Sequence, residues 1–390
     1  MILVFALLIY ATTYSLAYGP QVLRNVPIGV IDNSHTEASR RLTAGFDAGP
    51  NTYVAYEPAD MEEARELFFQ RRIYGIVYIP ENYERRLLDG EQADVAIYAD
   101  ASYFLMYRQV FQELVSAIGL TGATVGLQRL VARGTELPQA EAAVQPVVYQ
   151  SHNLFNPYLG YGSFAMPAII IVIIQQPLLV GIGMIGGTWW EKGLYRRLCP
   201  VGRRRMSTLP IVAGRAAVYL AIYGVTLSYI LGVHYKLFHY PDNGTTGAVI
   251  VFVALYLSAA IAFGLALSTL FRTRESSLLL LLWTSIPVLM LSGVSFPREG
   301  IPPLLYRFGR LLPSSSAIDG FIRIRSMGAT LAEVLPEIRT LLILATVYGG
   351  LALFGTHWIL CRTCTSRPDK PKKTVRTTDD ETASAPVSDE

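Results

Sequence analysis

The sequence predicts a polytopic α-helical membrane protein of about six transmembrane helices, with an α/β extracytoplasmic domain inserted after the first. Three observations lead there. The 390 residues are 52% hydrophobic and 16% charged, whereas a soluble globular chain carries about 25% charged residues. Several runs reach the roughly 20 apolar residues that a helix needs to cross about 30 Å of hydrocarbon. A block near the start alternates β-rich stretches with amphipathic helical ones, the pattern of a sheet covered by helices.

The apolar run Ile2–Tyr18 opens the chain. Ala17-Tyr18-Gly19 has the small-x-small form of a signal-peptide cleavage site, but no positive residue precedes the run, as one normally does. We read residues 1–19 as an uncleaved first span whose cytoplasmic lead-in lies outside this sequence; a cleaved signal peptide is the alternative.

Residues 20–160 form the expected extracytoplasmic α/β domain. Strands are predicted over Pro27–Ile31, Thr52–Tyr56, Ile73–Ile79 and Val95–Tyr98, where β-branched and aromatic residues cluster. Helices are predicted over Thr36–Phe46, Asp60–Arg71, Glu81–Asp89 and, longest, Tyr103–Ala132.

A five-helix transmembrane domain follows over residues 161–362. Its spans are Phe164–Gly187, Pro210–Val233, Gly247–Phe271, Ser277–Phe296 and Thr340–Cys361. Orientation comes from the basic residues beside them. Lys192, Arg196, Arg197, Arg203, Arg204 and Arg205 join the second and third spans, Arg272 and Arg274 the fourth and fifth, and basic residues follow the last. Six spans put all of these on one side, the cytoplasm. Residues 298–339 strain this topology, because Arg298, Arg307, Arg310, Arg323, Arg325 and Arg339 then lie outside, offset in part by Glu299, Asp319, Glu333 and Glu337. The tail, 363–390, is polar and charged with no apolar face and is expected to be disordered and cytoplasmic.

The chemistry excluded is as informative. The chain has no Gly-Lys dipeptide, so the phosphate-cradling loop of an ATPase cannot be built. Its five histidines are scattered, and no metal or catalytic constellation is expected. A formal charge of +3 is too small to point to nucleic acid. Cys361 and Cys364 have redox-like spacing but stand without a second pair, and are expected to be reduced and inert. Membrane lipids are the one partner that composition requires.

Two groups of residues stand out. Gln175 and Gln176, followed by Pro177, fall near the middle of the second span. They either line a transport path or make interhelical hydrogen bonds, which are worth only about 0.6–2 kcal/mol. The loop Trp189-Trp190-Glu191-Lys192-Gly193-Leu194-Tyr195-Arg196-Arg197 joins interface aromatics to a charged stretch. It is either an aromatic belt with positive anchors or a docking segment for a soluble partner.

One span, a large external α/β domain and then five spans: this order resembles the permease subunits of type-2 ABC exporters, in the branch with a large domain after the first helix. The resemblance runs from Ile2 to about Cys361. Ile28-Gly29-Val30-Ile31-Asp32-Asn33-Ser34 is similar to the first external strand and its turn. Glu191-x-Gly193, followed by Pro200-Val201 and basic residues, resembles the cytoplasmic coupling segment. Ser292-Gly293-Val294-Ser295-Phe296-Pro297, then Ile301-Pro302 and Leu312-Pro313, resembles the outer end of the fifth span and a re-entrant stretch.

The resemblance implies a permease of an ATP-driven export system in the bacterial inner membrane, with no catalytic residues, cofactor or metal of its own. ATP and magnesium would belong to a separate cytoplasmic ATPase. Glu191, Lys192, Gly193, Arg196 and Arg197 would receive that ATPase; Gln175, Gln176, Pro177, Ser292, Gly293 and Pro297 would line the pathway or pack its helices. A second permease, identical or not, would complete the pathway. A periplasmic adaptor protein and an outer-membrane channel would continue it in a two-membrane bacterium. The implied cargo is a drug-like amphiphile, a lipid or a glycoconjugate. This chain departs from the family pattern at Leu194 and Arg196, where threonine and an acid are usual, which implies a rearranged ATPase contact or the less typical half of a heterodimer. The alternative is a membrane-anchored receptor or interaction protein that acts through its extracytoplasmic domain.

Overall fold

The computed structural model describes residues 2–148, 150–198, 208–291, 293, 296 and 300–365. Ser292, Pro297, Pro200, Val201, the Arg203–Arg205 cluster and the tail beyond 365 lie outside the described residues.

The inserted domain is built on a four-stranded sheet of order β2-β1-β3-β4. Strands β1 (Val26–Asp32), β2 (Thr52–Tyr56) and β3 (Gly75–Ile79) are parallel; β4 (Ala96–Ala99) closes one edge antiparallel to β3. Alternation along β1 sends Val26, Ile28 and Val30 to one face and Ile31 to the other. The first face is covered by α2 (Glu37–Asp47) through Leu42 and Phe46, by α4 (Tyr83–Asp89) through Tyr83, and by α5 (Phe104–Ala132) through Val110 and Leu114. On the second, Ile31 and Ile76 meet Ala64 and Leu67 of α3 (Met61–Phe69). The short α6 (Leu137–Val144) follows α5.

Local sequence sets the helix starts. Thr36 and Ser39 form a capping box on α2, and Asp32 ties the preceding turn, accepting from the Ser34 and His35 amides at 3.0 and 3.1 Å and from Ser39 Oγ at 2.6 Å. Asp60 caps α3 by accepting from the Glu62 and Glu63 amides.

Among the described residues six apolar helices form the bundle: α1 (Ile2–Ala17), α7 (Tyr161–Glu191), α8 (Leu209–Tyr229), α10 (Thr246–Ser268), α11 (Arg274–Leu291) and α14 (Leu335–Thr365). Of these, α7, α8 with its extension, α10 and α14 are long and apolar enough to span. A π-helical turn, Ile230–His234, and the short α9 (Tyr235–Leu237) prolong α8. Helix α5 is also long and apolar enough to span, yet its buried residues, Val110 and Leu114, face the sheet. It belongs to the inserted domain.

Helix α7 is the axis of the bundle, with α1, α10 and α11 packed around it. From α10, Tyr256 donates a buried 2.7 Å hydrogen bond to the Ile171 carbonyl of α7. We expect Tyr256→Phe to lower stability by about 0.6–1.7 kcal/mol, the range for interhelical bonds inside membranes. Thermal unfolding in detergent measures this, and a gain in stability would contradict it. Helix α1 turns Leu7, Ala11 and Ser15 inward at four-residue spacing while Phe5, Ile9 and Tyr10 stay exposed, as on a helix facing lipid.

After α11 the chain re-enters the bundle. Helix α12 (Pro303–Gly309) is short; α13 (Pro313–Arg325) is buried along most of its length against α7, α10 and α14. Both begin with proline at a first-turn position, where the missing amide costs nothing. The expected re-entrant stretch is therefore present, and as two helices.

The arginines that strained the topology are partly neutralised here. Arg325 Nη2 lies 2.8 Å from Asp242 and donates to the Leu231 carbonyl in the π-helical turn, while Arg323 pairs with Glu337 at 3.1 Å. One expectation needs correction: Cys364 is disulfide-bonded, so Cys361 and Cys364 do not form a reduced pair.

Candidate functional site

The sequence-selected residues fall into two places along α7. At its C-terminal end Glu191 closes the helix, Lys192 is the cap, and Gly193 turns the chain at φ +60°. That left-handed conformation suits glycine and starts the 3-10 turn Leu194–Leu198. Tyr195 points inward, buried against Trp189 and Trp190 with ring centroids 5.6 and 6.2 Å away, and against Ile359 and Leu360 of α14. Burial pushes its phenol up, and Arg215 of α8 pulls the other way. Tyr195 thereby pins the turn to three helices. Its neighbours Arg196 and Arg197 stay exposed, as does Lys192.

Glu191 reaches sideways: its Oε1 accepts from the Arg274 amide at 3.1 Å, at the N-terminus of α11. A carboxylate there satisfies a free amide and complements the helix dipole. A side chain on Gly187 would collide with the Thr273 carbonyl carbon and oxygen at 2.5 Å, so glycine lets α7 and the α10–α11 turn touch. Arg215 of α8 stands over the Trp189 ring at 5.4 Å and Arg272, after α10, over Trp190 at 5.5 Å. Arg362 over Trp358 at 4.0 Å is a contact within α14, which Ile359 and Leu360 join to Tyr195. The ends of α7, α8, α10 and α14 are thus fastened into one plate, with exposed cations on its surface.

The second place is the middle of α7. Gln175 is fully buried, and its Oε1 accepts from the Ser314 amide at 3.0 Å, in the first turn of α13. Among the described residues, the Gln175 amide nitrogen, both polar atoms of Gln176 and the Ser314 hydroxyl have no partner. Pro177 lies within the helix and leaves one backbone carbonyl without its usual amide. A polar layer therefore crosses the bundle at mid-depth. Gly293, at φ +82°, follows the end of α11 and is not brought to these glutamines by any described contact.

Sequence reading missed Ser314, the partner of Gln175, and, at the other end of α13, the ion pair of Arg325 with Asp242. The Pro313-Ser314-Ser315-Ser316 run was a usable signal, being a polar tetrapeptide with a helix-starting proline between apolar stretches. Asp242 carried none, since nothing local links it to an arginine 83 positions away.

A multi-pass helical bundle with an inserted α/β domain, a polar layer inside and a braced, charged plate at the end away from that domain defines a membrane transport subunit. This chain belongs to the ABC-2 transporter family: the model described as ABC-2 family transporter protein matches residues 1–354. It is 25% identical over 338 residues to the linearmycin resistance permease protein LnrN of Bacillus subtilis strain 168, covering 83% of this chain and 85% of that protein. It is 22% identical over 329 residues to the probable multidrug ABC transporter permease YbhR of Escherichia coli K12, covering 84% and 85%. With the inner membrane transport permease YhhJ of the same strain it shares 24% over 345 residues, 86% of each chain. The chain is accordingly a multi-pass membrane permease of the ABC type.

Proposed function

We propose that this permease is the membrane half of an ATP-driven exporter, working with a separate cytoplasmic ATPase and with a second permease, identical or related. The observation that carries the proposal is the braced 3-10 turn, with Lys192, Arg196 and Arg197 exposed while Tyr195 anchors them to α7, α8 and α14. A push on such a turn moves three helices rather than a loop. The positive-inside rule supports reading this end as cytoplasmic and the inserted domain as external.

In this reading the partner ATPase binds ATP and magnesium, closes, and transmits closure through the plate. ATP biases the equilibrium because it binds the closed ATPase better than the open one. Gln175 and Gln176 line the route that the helix movements open. Cargo of the drug type fits the names of two relatives, a linearmycin resistance permease and a probable multidrug permease; a lipid or a glycoconjugate is the other class of cargo in this reading. A periplasmic adaptor protein and an outer-membrane channel would receive it in a two-membrane cell.

The test is affinity purification of the detergent-solubilised chain, followed by mass spectrometry of what accompanies it. An ABC ATPase recovered in about equal amount supports the reading. Intact, folded protein that brings no ATPase would overturn it in favour of a receptor acting through the inserted domain. One observation favours that second reading, a cleft of about 790 Å³ between α2 and β2, lined by Asp32, His35, Arg40, Asp47 and Glu57.

A further inference from the structure

Where the inserted domain meets the bundle, a pocket of about 370 Å³ opens between the end of α1, the start of α7 and helix α5. Tyr18, Gln21, Leu105, Arg108, Gln109 and Phe164 are among its lining residues, and among the described residues Arg108 is the only charged one. The arginine is half-buried and, among the described residues, has neither an ion-pair nor a hydrogen-bond partner. A partly desolvated cation without a counter-charge is costly unless something supplies one.

The depth of the pocket is set by aromatic residues. Tyr14 and Tyr18 at the end of α1 and Tyr161 and Phe164 at the start of α7 form a continuous run, with ring centroids 6.2, 5.2 and 6.2 Å apart. Tyrosines gathered at the ends of two spans mark the membrane–water boundary, where lipid head groups sit. The wall is also built rather than incidental. The Gln21 carbonyl accepts from the Tyr161 amide at 2.7 Å, and Gln21 Oε1 accepts from the Ser163 amide at 2.8 Å. Gly162 lies so close that a side chain there would meet the Tyr18 carbonyl at 2.9 Å.

We propose that this pocket binds an amphiphile with an anionic head group, a phosphate above all. The head sits on the guanidinium of Arg108 beside the Gln109 amide, and the alkyl chain runs over Leu105 and the exposed Phe164 into the membrane. Arginine suits this role because its planar fork matches phosphate oxygens. The proposal concerns binding alone and stands whether or not the chain exports.

The test titrates the detergent-purified full chain with phosphatidylglycerol, phosphatidylcholine and dodecyl phosphate, counting bound ligand by native mass spectrometry. We expect phosphatidylglycerol and dodecyl phosphate to bind about tenfold tighter than phosphatidylcholine, whose own choline screens its phosphate. Arg108→Gln should erase that preference, and Arg108→Lys should keep part of it. Gln109→Glu leaves the arginine in place and should also lower anionic binding, which keeps the proposal testable if Arg108→Gln misfolds. Preference for phosphatidylglycerol alone supports a resident bilayer lipid; preference for dodecyl phosphate alone supports a single-chain amphiphile. Equal binding of all three ligands, or a preference that Arg108→Gln leaves intact, overturns the site.

Discussion

Reversing the charge at Arg196 and Arg197 together, as Arg196→Glu with Arg197→Glu, is expected to abolish coupled ATP hydrolysis and transport while leaving the permease folded. Both side chains are exposed, and neither forms an ion pair among the described residues, so folding loses little by their removal. Exposed substitutions of this kind usually stay within about 0.5 kcal/mol. Like charges brought together across a protein interface cost several kcal/mol, about two to three orders of magnitude in affinity. The turn itself is held from beneath by Tyr195 and by the Glu191 bond to α11, and both remain in the variant. The readout is ATPase stimulation and transport in proteoliposomes at matched protein amounts, with melting temperature as the control. Undiminished transport at an unchanged melting temperature would remove the docking role from this turn.

Asp242→Asn is expected to give the largest loss of stability of any single polar change in the bundle. Arg325 is 5% exposed and clamps three separate elements: it donates to the Leu231 carbonyl of the π-helical turn, pairs with Asp242 before α10, and stands 4.7 Å from the Tyr235 ring centroid. Asn243 ties the same corner from the other side, donating its amide to the Arg325 carbonyl and its side chain to the Ser326 carbonyl. Neutralising the aspartate leaves a buried guanidinium with no counter-charge. Removing one partner of a fully buried pair costs about 3–5 kcal/mol. Asp242 is 32% exposed, so water screens part of the interaction and about 2–3 kcal/mol is the better figure. Adding Arg325→Met to Asp242→Asn should recover most of the loss, because no unpaired charge then stays buried. Thermal unfolding in detergent reads both variants. A single variant as stable as the parent would mean that the pair is decoration.

Much of the architecture was legible in the sequence. Strands β1 to β4 and helices α2 to α5 lie within about two residues of the predicted stretches, because period-two and period-3.6 patterns and caps such as Thr36 and Asp60 are local signals. The spans were legible for a similar reason, since hydrocarbon demands an uninterrupted apolar length whatever the neighbours are. Composition alone did not separate α5 from the bundle helices: it is long and apolar enough to span. The strand–helix alternation before it set it in the inserted domain, and Val110 and Leu114, buried against the sheet, seat it there.

The candidate residues stood out by kind, but not by arrangement. Glu191, Gly193, Arg196 and Arg197 stood out through charge and glycine beside interface tryptophans, and Gln175 and Gln176 as polar residues in an apolar run. Local sequence holds no record of what Glu191 or Gln175 would bond, because their partners lie 83 and 139 positions away. By itself, then, the sequence determined the class of protein, the alternation of its inserted sheet and the apolar spans, all of which rest on hydrophobicity and hydrogen bonding within a short stretch. Only the tertiary structure decided that Tyr195 anchors the charged turn, that Gln175 caps a re-entrant helix, that Asp242 answers Arg325 and that Arg108 faces a pocket without an acid. Each of these depends on distance between chain segments far apart in sequence, and that distance is set by how the helices pack.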